Sequence, residues 1–124
     1  KGKQKFIEIY GTDYNTKDGT CIRDYIHVED LIEAHLLSLN FLLKEKKSEK
    51  FNLGSQNGYS VREIIEKCKE ITKINFKIKE GTKREGDPAT LIASSTKIKE
   101  MLGWETKKTL QNIIEDAWSF EKKL

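Results

Sequence analysis

Asp18-Gly19-Thr20-Cys21-Ile22-Arg23-Asp24-Tyr25-Ile26-His27-Val28-Glu29-Asp30-Leu31 passes from an Asp-Gly turn, through a short extended piece, into the start of a helix. An arginine stands in the middle of it. The chain has twenty lysines and only three arginines, so lysine is its ordinary surface cation. An arginine in an ordered turn points to work that needs a planar, bidentate donor. Such a fork matches the oxygens of a phosphate or carboxylate. Two roles fit Arg23 equally: it holds such a ligand, or it pairs with a nearby acid such as Asp24 and pins the turn.

Outward from this stretch the elements follow from period and punctuation. Phe6 to Tyr10 is short, apolar-rich and bounded by Gly11, and reads as a strand. Gly11 to Thr20 is a polar loop, and Cys21 to Ile26 a second extended piece. From Val28 to Leu43, Val28, Leu31, Ile32, His35, Leu36, Leu39, Leu42 and Leu43 recur at helical spacing. Glu29 and Asp30 at its start and lysines at its end suit the helix dipole. Lys50 to Leu53 reads as a strand ended by Gly54. Ser60-Val61-Arg62-Glu63 is a capping box opening a helix with Val61, Ile64, Ile65, Cys68 and Ile71 inward. Asn75 to Glu80 alternates as a strand with one wet face. Leu91 to Ala93 is short and extended. Ser94 or Ser95 caps a helix that runs through Leu102 and stops at Gly103. Thr109 caps a last helix with Leu110, Ile113, Ile114, Ala117, Trp118 and Leu124 on one stripe. The sum is a mixed α/β layer with about four helices and about five short strands.

At 124 residues the chain has the size of one domain. Its charged fraction of 35% is split nearly evenly between the signs, for a net charge of +3, with no basic block of the kind that marks a nucleic-acid arm. Lys44, Lys46 and Lys47 sit at a helix end, where cations favour the dipole. No apolar run approaches the ~20 residues of a membrane span. Cys21 and Cys68 form neither a disulfide framework nor a zinc pattern, which points to a reducing, cytoplasmic setting. The start Lys1-Gly2-Lys3, without methionine and close to a strand, suggests a fragment.

Besides the Arg23 turn, two loops can carry chemistry. Gly54 to Ser60 leads into a capped helix whose free amides suit an anion. It lacks a P-loop lysine and the three glycines of a dinucleotide fingerprint, so it reads first as a tight turn. Lys83-Arg84-Glu85-Gly86-Asp87-Pro88 sets an arginine and an acid three residues apart across a glycine. Arginine can hold a phosphate while the carboxylate accepts from a hydroxyl, the pair a nucleotide sugar requires. Alternatively the two make an internal ion pair, which at a surface contributes only ~0–1 kcal/mol. Arg62 reads as ordinary surface. His27 and His35 have no third ligand at a zinc spacing and read as structural histidines. No nucleophile elbow and no exposed Cys–His pair is present. Trp104 and Trp118 read as packing for the last helices.

Taken in order, the motifs Gly11-Thr12-Asp13-Tyr14, Asp18-Gly19-Thr20, Arg23 to Leu31, Phe51-Asn52-Leu53-Gly54, Gly58-Tyr59-Ser60-Val61, Arg84 to Ala89 and Leu102-Gly103-Trp104 span nearly the whole chain. The set resembles the C-terminal part of the UDP-glucose 4-epimerase (UDP-galactose 4-epimerase) family, NAD-dependent extended short-chain dehydrogenases/reductases of Rossmann type. The resemblance implies that Arg23 and Arg84 hold the UDP diphosphate and therefore converge, and that Asp87 contacts the ribose. It implies that the strand from Glu8 to Tyr10 meets uracil through its backbone, and that Tyr25 and Asn57 line the nucleotide site. Leu91 matches a position beside the sugar that influences whether an N-acetyl group fits. A branched aliphatic there differs from both the aromatic and the small residue of other members, so acceptance of N-acetylated sugars stays open.

The family's Gly-x-x-Gly-x-x-Gly turn and Tyr-x-x-x-Lys pair do not occur here. The resemblance thus makes residues 1–124 a UDP-sugar-binding region whose N-terminal NAD-binding domain is absent, with no NAD bound and no activity alone. The parent would interconvert UDP-galactose and UDP-glucose as a cytoplasmic homodimer. The Val28–Leu43 helix and the Phe51–Leu53 strand would pack on the missing domain, so the fragment alone is expected to self-associate. A UDP-N-acetylglucosamine epimerase, another nucleotide-sugar enzyme, or a stand-alone nucleotide-binding or interaction module are the alternatives.

Overall fold

The computed structural model describes residues 4–124. Lys1, Gly2 and Lys3, on which the fragment expectation drew, lie outside the described residues. Ile7–Tyr10 forms β1, Ile22–Asp24 β2, Val28–Glu45 α1, Gly58–Ser60 β3 and Val61–Thr72 α2; Ile78–Gly81 is β4, Thr90–Leu91 β5, Thr96–Leu102 α3 and Leu110–Lys123 α4. The architecture is the mixed α/β one read from the motif order. β1 pairs in parallel with β4, Ile7 against Ile78. β2 is the centre of a second sheet of order β3-β2-β5, antiparallel to β3 and parallel to β5.

The helix starts are set by side chains that take up free amides. His27 caps α1: its Nδ1 accepts from Glu29 N at 3.1 Å, and its Nε2 meets Asp116 Oδ2 of α4, also at 3.1 Å. The imidazole thus ties the start of one helix to the flank of another, a structural role. Ser60 and Glu63 form the capping box of α2, and Thr109 and Asn112 do the same for α4. Ser95 departs from expectation. It precedes α3 but gives no side-chain cap. Its hydroxyl instead donates to Gly54 O at 2.6 Å and accepts from Gly54 N at 2.8 Å. One hydroxyl there satisfies both polar groups of a buried residue's backbone, which would otherwise be orphaned.

Ala34 of α1, Ile98 of α3 and Trp104 form the buried centre, flanked by Ile26, Leu37, Phe51, Leu53 and Leu102. Trp104 is essentially inaccessible and its indole N–H donates to Asp30 O at 2.8 Å. The buried Asp30 carboxylate accepts from the amides of Lys107 and Lys108 at 3.2 and 3.0 Å. One residue of α1 therefore fastens both the tryptophan and the approach to α4.

Lys50 to Leu53 is not a strand. Extended backbone becomes a strand only when a neighbour takes its N–H and C=O groups, and among the described residues none lies beside it. Phe51 and Leu53 still point into the core. The leucine stripe of α1 is a true helical face, but it looks outward: Leu36 is 57% and Leu39 50% exposed. The helix shows the core its small side, Ala34 and Leu37. No helix among the described residues is long and apolar enough to cross a membrane.

Asp30→Ala should cost about 2–3 kcal/mol in urea unfolding, because it strands two amides that the carboxylate now satisfies. Leu36→Ala on the outward face should cost under about 0.5 kcal/mol beyond helix propensity. Equal losses for the two would contradict this division of α1 into a holding side and an idle one.

Candidate functional site

The Asp18–Thr20 turn delivers Arg23. Asp18 Oδ1 accepts from Thr20 N at 2.9 Å and from Thr20 Oγ1 at 2.7 Å, and Gly19 adopts φ +80°, a left-handed conformation where a Cβ would strike Thr12 O. Ser60 donates to the other Asp18 oxygen. Burial alone would raise this carboxyl's pKa, but the bonds from Ser60 and Thr20 and the charge of Arg62 outweigh it and hold Asp18 below the usual carboxylate range. The start of α2 is thereby filled from within. Ser60 serves Glu63 N, and a carboxylate stands against its hydroxyl, so the Gly54–Ser60 loop is a tight turn and offers no free anion cradle.

Arg23 does not pair with Asp24. Its Nη1 donates to Ile22 O at 2.7 Å and its Nη2 is ion-paired with Asp87 Oδ1, 64 positions away. Beside it in the β2–β5 register stands Leu91, 60% exposed. Asp87 N donates to Arg84 O at 3.3 Å, closing the turn that carries the second arginine. The Arg84 guanidinium lies over the Tyr10 ring, 3.8 Å from its centroid, and has no ion pair among the described residues. Such stacking holds the cation in place without consuming its donors.

Glu8 lies two residues before Tyr10 on β1 and pairs with Lys79 Nζ at 3.2 Å. Ile7 N donates to Lys77 O at 2.9 Å and Gly11 N to Gly81 O at 3.0 Å, so odd-numbered residues of β1 face β4. Strand alternation then turns the N–H and C=O groups of Glu8 and Tyr10 to the opposite edge, which carries no strand among the described residues.

A chain of contacts thus links Glu8 and Tyr10 through Arg84 and Asp87 to Arg23 and Leu91. Two expected residues stand apart from it. Tyr25 lines an apolar groove of about 360 Å³ with Ile64 and Cys68 of α2 and Ile113 and Trp118 of α4. Burial raises its hydroxyl's pKa, with the Arg23 charge opposing and the two cysteines adding to the rise. Asn57 is exposed, and among the described residues only its backbone is held, by Ser55. An open cavity of about 430 Å³ lies between Arg23, Asp24 and Asn52 on one side and Leu91, Ile92 and Ala93 on the other. Asp24, Ser55 and Ser95, which tie this region together, escape a reading of the sequence. Their partners lie 31 to 69 positions away, and the local signals, a short polar residue beside a glycine or an arginine or ahead of a helix, do not name those partners.

A family model described as GDP-mannose 4,6 dehydratase matches residues 2–117. The chain belongs to this family. It is 48% identical over 122 residues to a UDP-glucose 4-epimerase of Lactobacillus helveticus, covering 98% of this chain and 37% of that protein. A UDP-glucose-4-epimerase structure from Stenotrophomonas maltophila, with bound NAD and formylated UDP-arabinopyranose, is 34% identical at a TM-score of 0.94, over 98% of this chain and 36% of that one. The UDP-Glc/GlcNAc 4-epimerase of Campylobacter jejuni is 44% identical at a TM-score of 0.88, over 99% and 37%. The chain therefore spans somewhat over a third of the relatives it matches.

Behind Asp87, this GDP-mannose 4,6 dehydratase family member buries Tyr14, whose hydroxyl has no hydrogen-bond partner among the described residues. The Cys21 thiol faces it and reaches Asp87 Oδ2 at 3.7 Å. Burial first, then Cys21 and Asp87, push the Tyr14 hydroxyl up to about 12 from its ordinary value of 10, against the pull of Arg23. The folded state holds this proton more tightly than the unfolded one. The stability it lends is present below pH 10 and is lost as pH rises towards 12. Tyr14→Phe should flatten the loss of stability over that interval and remove the latest component of tyrosine ionisation at 295 nm. An unchanged alkaline limb would mean the hydroxyl is not held as described.

Proposed function

We propose that this chain is the UDP-sugar-holding, C-terminal portion of an NAD-dependent UDP-glucose 4-epimerase that interconverts UDP-galactose and UDP-glucose. The observation that carries the reading is the junction of the Asp18–Tyr25 stretch with the Arg84–Asp87 turn through Arg23 and Asp87. It places two of the three arginines on either side of one turn, each with donors to spare. In this reading a diphosphate lies across Arg23 and Arg84, and Asp87 exchanges Arg23 for a ribose hydroxyl. The free edge of β1 at Glu8 and Tyr10 receives the base, and Leu91 walls the sugar. Tyr25, in its apolar groove, and Asn57, on the exposed loop, stand outside this arrangement. A diphosphate offers oxygens to several guanidinium N–H groups at once, whereas the Arg23–Asp87 pair, partly exposed on both sides, contributes little that must be given up.

The residues present do not fit NAD. The chain has no three-glycine turn and no Tyr-x-x-x-Lys pair, and the one glycine loop that leads into a helix is filled by Ser60 and Asp18. The hydride chemistry NAD supplies when bound belongs, in this proposal, to the rest of the parent protein. The outward leucine face of α1 is where that part packs, and the chain taken alone self-associates through the same face. The parent is proposed to be a homodimer.

In the full-length protein, Arg23→Ala and Arg84→Ala should each weaken UDP binding by about 10- to 100-fold in calorimetry, the worth of charge-assisted bonds to phosphate. Arg62→Ala, which removes an exposed pair with Glu80, should leave it within about twofold. The isolated chain should give no turnover of UDP-galactose. Wild-type UDP affinity in both arginine variants, or robust turnover by the isolated chain, would contradict the proposal.

A further inference from the structure

Asp24 is the neighbour of Arg23, yet its carboxylate faces away from the arginine's partners. Its Oδ1 accepts from Ser55 N at 2.9 Å and from Ser55 Oγ at 2.5 Å. Its Oδ2 accepts from Ala93 N at 3.1 Å. Ser55 Oγ also lies 2.7 Å from Asn57 O, so that its one proton is shared between carboxylate and carbonyl, and it accepts from Asn57 N at 3.3 Å. Between these bonds lies Gln56, a non-glycine residue at φ +61°, a conformation that persists only where neighbours impose it. Gly54 makes the closure possible. A Cβ there would strike the Asp24 carboxylate and stand 2.7 Å from Ala93 O.

Three segments therefore meet on one carboxylate: β2 with Arg23, the Gly54–Asn57 loop, and the strand end carrying Leu91. Resting on the nucleotide-sugar reading above, we propose that Asp24 is a positioning residue that sets the distance between the arginine and the sugar wall without offering an oxygen of its own. Each of its two oxygens already accepts at least one bond from another segment. Backbone pairing of β2 with β5 ends at Leu91. Beyond that point Asp24 carries the join, and it does so at the cavity lined by Arg23, Asn52 and Leu91.

The consequence is selective. Arg23 is held by β3 and β5 whatever happens at Asp24, so the diphosphate end should survive its alteration. The Leu91–Ala93 wall should not. Asp24→Asn keeps shape and an acceptor for Ser55, but sets an NH₂ group against the Ala93 N–H, donor against donor. Ser55→Ala cuts the hydroxyl link to the Asn57 loop and leaves the Ala93 bond.

The test measures UDP and UDP-glucose binding to the full-length protein by calorimetry, with thermal unfolding alongside. Asp24→Asn should weaken UDP-glucose by about tenfold and UDP by less than about threefold, so that the ratio of the two affinities falls. Ser55→Ala should weaken both ligands alike, by about fivefold, since it frees the Gly54–Asn57 loop from Asp24 while the Ala93 bond still holds the sugar wall. A ratio unchanged within twofold in folded Asp24→Asn overturns the inference. Should that variant not fold, Ser55→Ala decides, and wild-type binding of both ligands by it also overturns the inference. A wild-type protein that binds neither ligand overturns the nucleotide-sugar reading itself, and this inference with it.

Discussion

A strand of three residues cannot hold itself, and β2 exists because both of its edges are taken. Tyr59 of β3 stands against one side of Arg23 and Leu91 of β5 against the other. Ile22 N reaches Ala89 O at 2.8 Å and Val61 N reaches Cys21 O at 3.1 Å, so the strand is held on both edges at its N-terminal end as well. From this fixed point the rest follows. The Asp18 turn ahead of it is clamped to Ser60, the helix behind it begins at His27, and the two arginine-bearing segments can meet only because β2 and β5 run side by side. Substituting the backbone register would move every candidate residue at once.

The electrostatics around this strand divide into bonds that hold and bonds that can be exchanged. Asp30 and Asp18 accept from backbone amides and hydroxyls in partly or fully buried places, where an orphaned group would cost about 1–3 kcal/mol. Arg23 and Asp87 are partly exposed and Arg84 rests on an exposed aromatic ring. Water screens such contacts, and each is worth about 0–1 kcal/mol. The fold is thus kept by its inward carboxylates, while the outward arginines are available to a stronger anionic partner.

Much of this was legible from the chain. Helix starts at Ser60 and Thr109 announce themselves because the capping partner lies three residues away. The rarity of arginine among lysines marked Arg23 and Arg84 before any contact was known. What could not be read is what depends on distant partners. Ser95 looks like a helix cap because serines before helices usually are, yet Gly54, 41 positions away, claims its hydroxyl. Asp24 looks like a partner for Arg23 because they are adjacent, but alternation along an extended strand sends neighbouring side chains to opposite faces. Lys50 to Leu53 has a strand's composition and lacks a strand's neighbour. The leucines of α1 have a core's composition and face outward, since periodicity locates an apolar face but not what covers it.

In the proposed site Arg23 and Arg84 serve one anionic ligand, and Arg62 has no part in it. The side-chain Nε–Hε resonances of these three residues, assigned by single Arg→Lys variants in the full-length protein, report this directly during a titration with UDP. The Arg23 and Arg84 signals should shift together along one binding curve while the Arg62 signal stays in place. Separate curves for Arg23 and Arg84, or a response confined to Arg62, would contradict the proposed site.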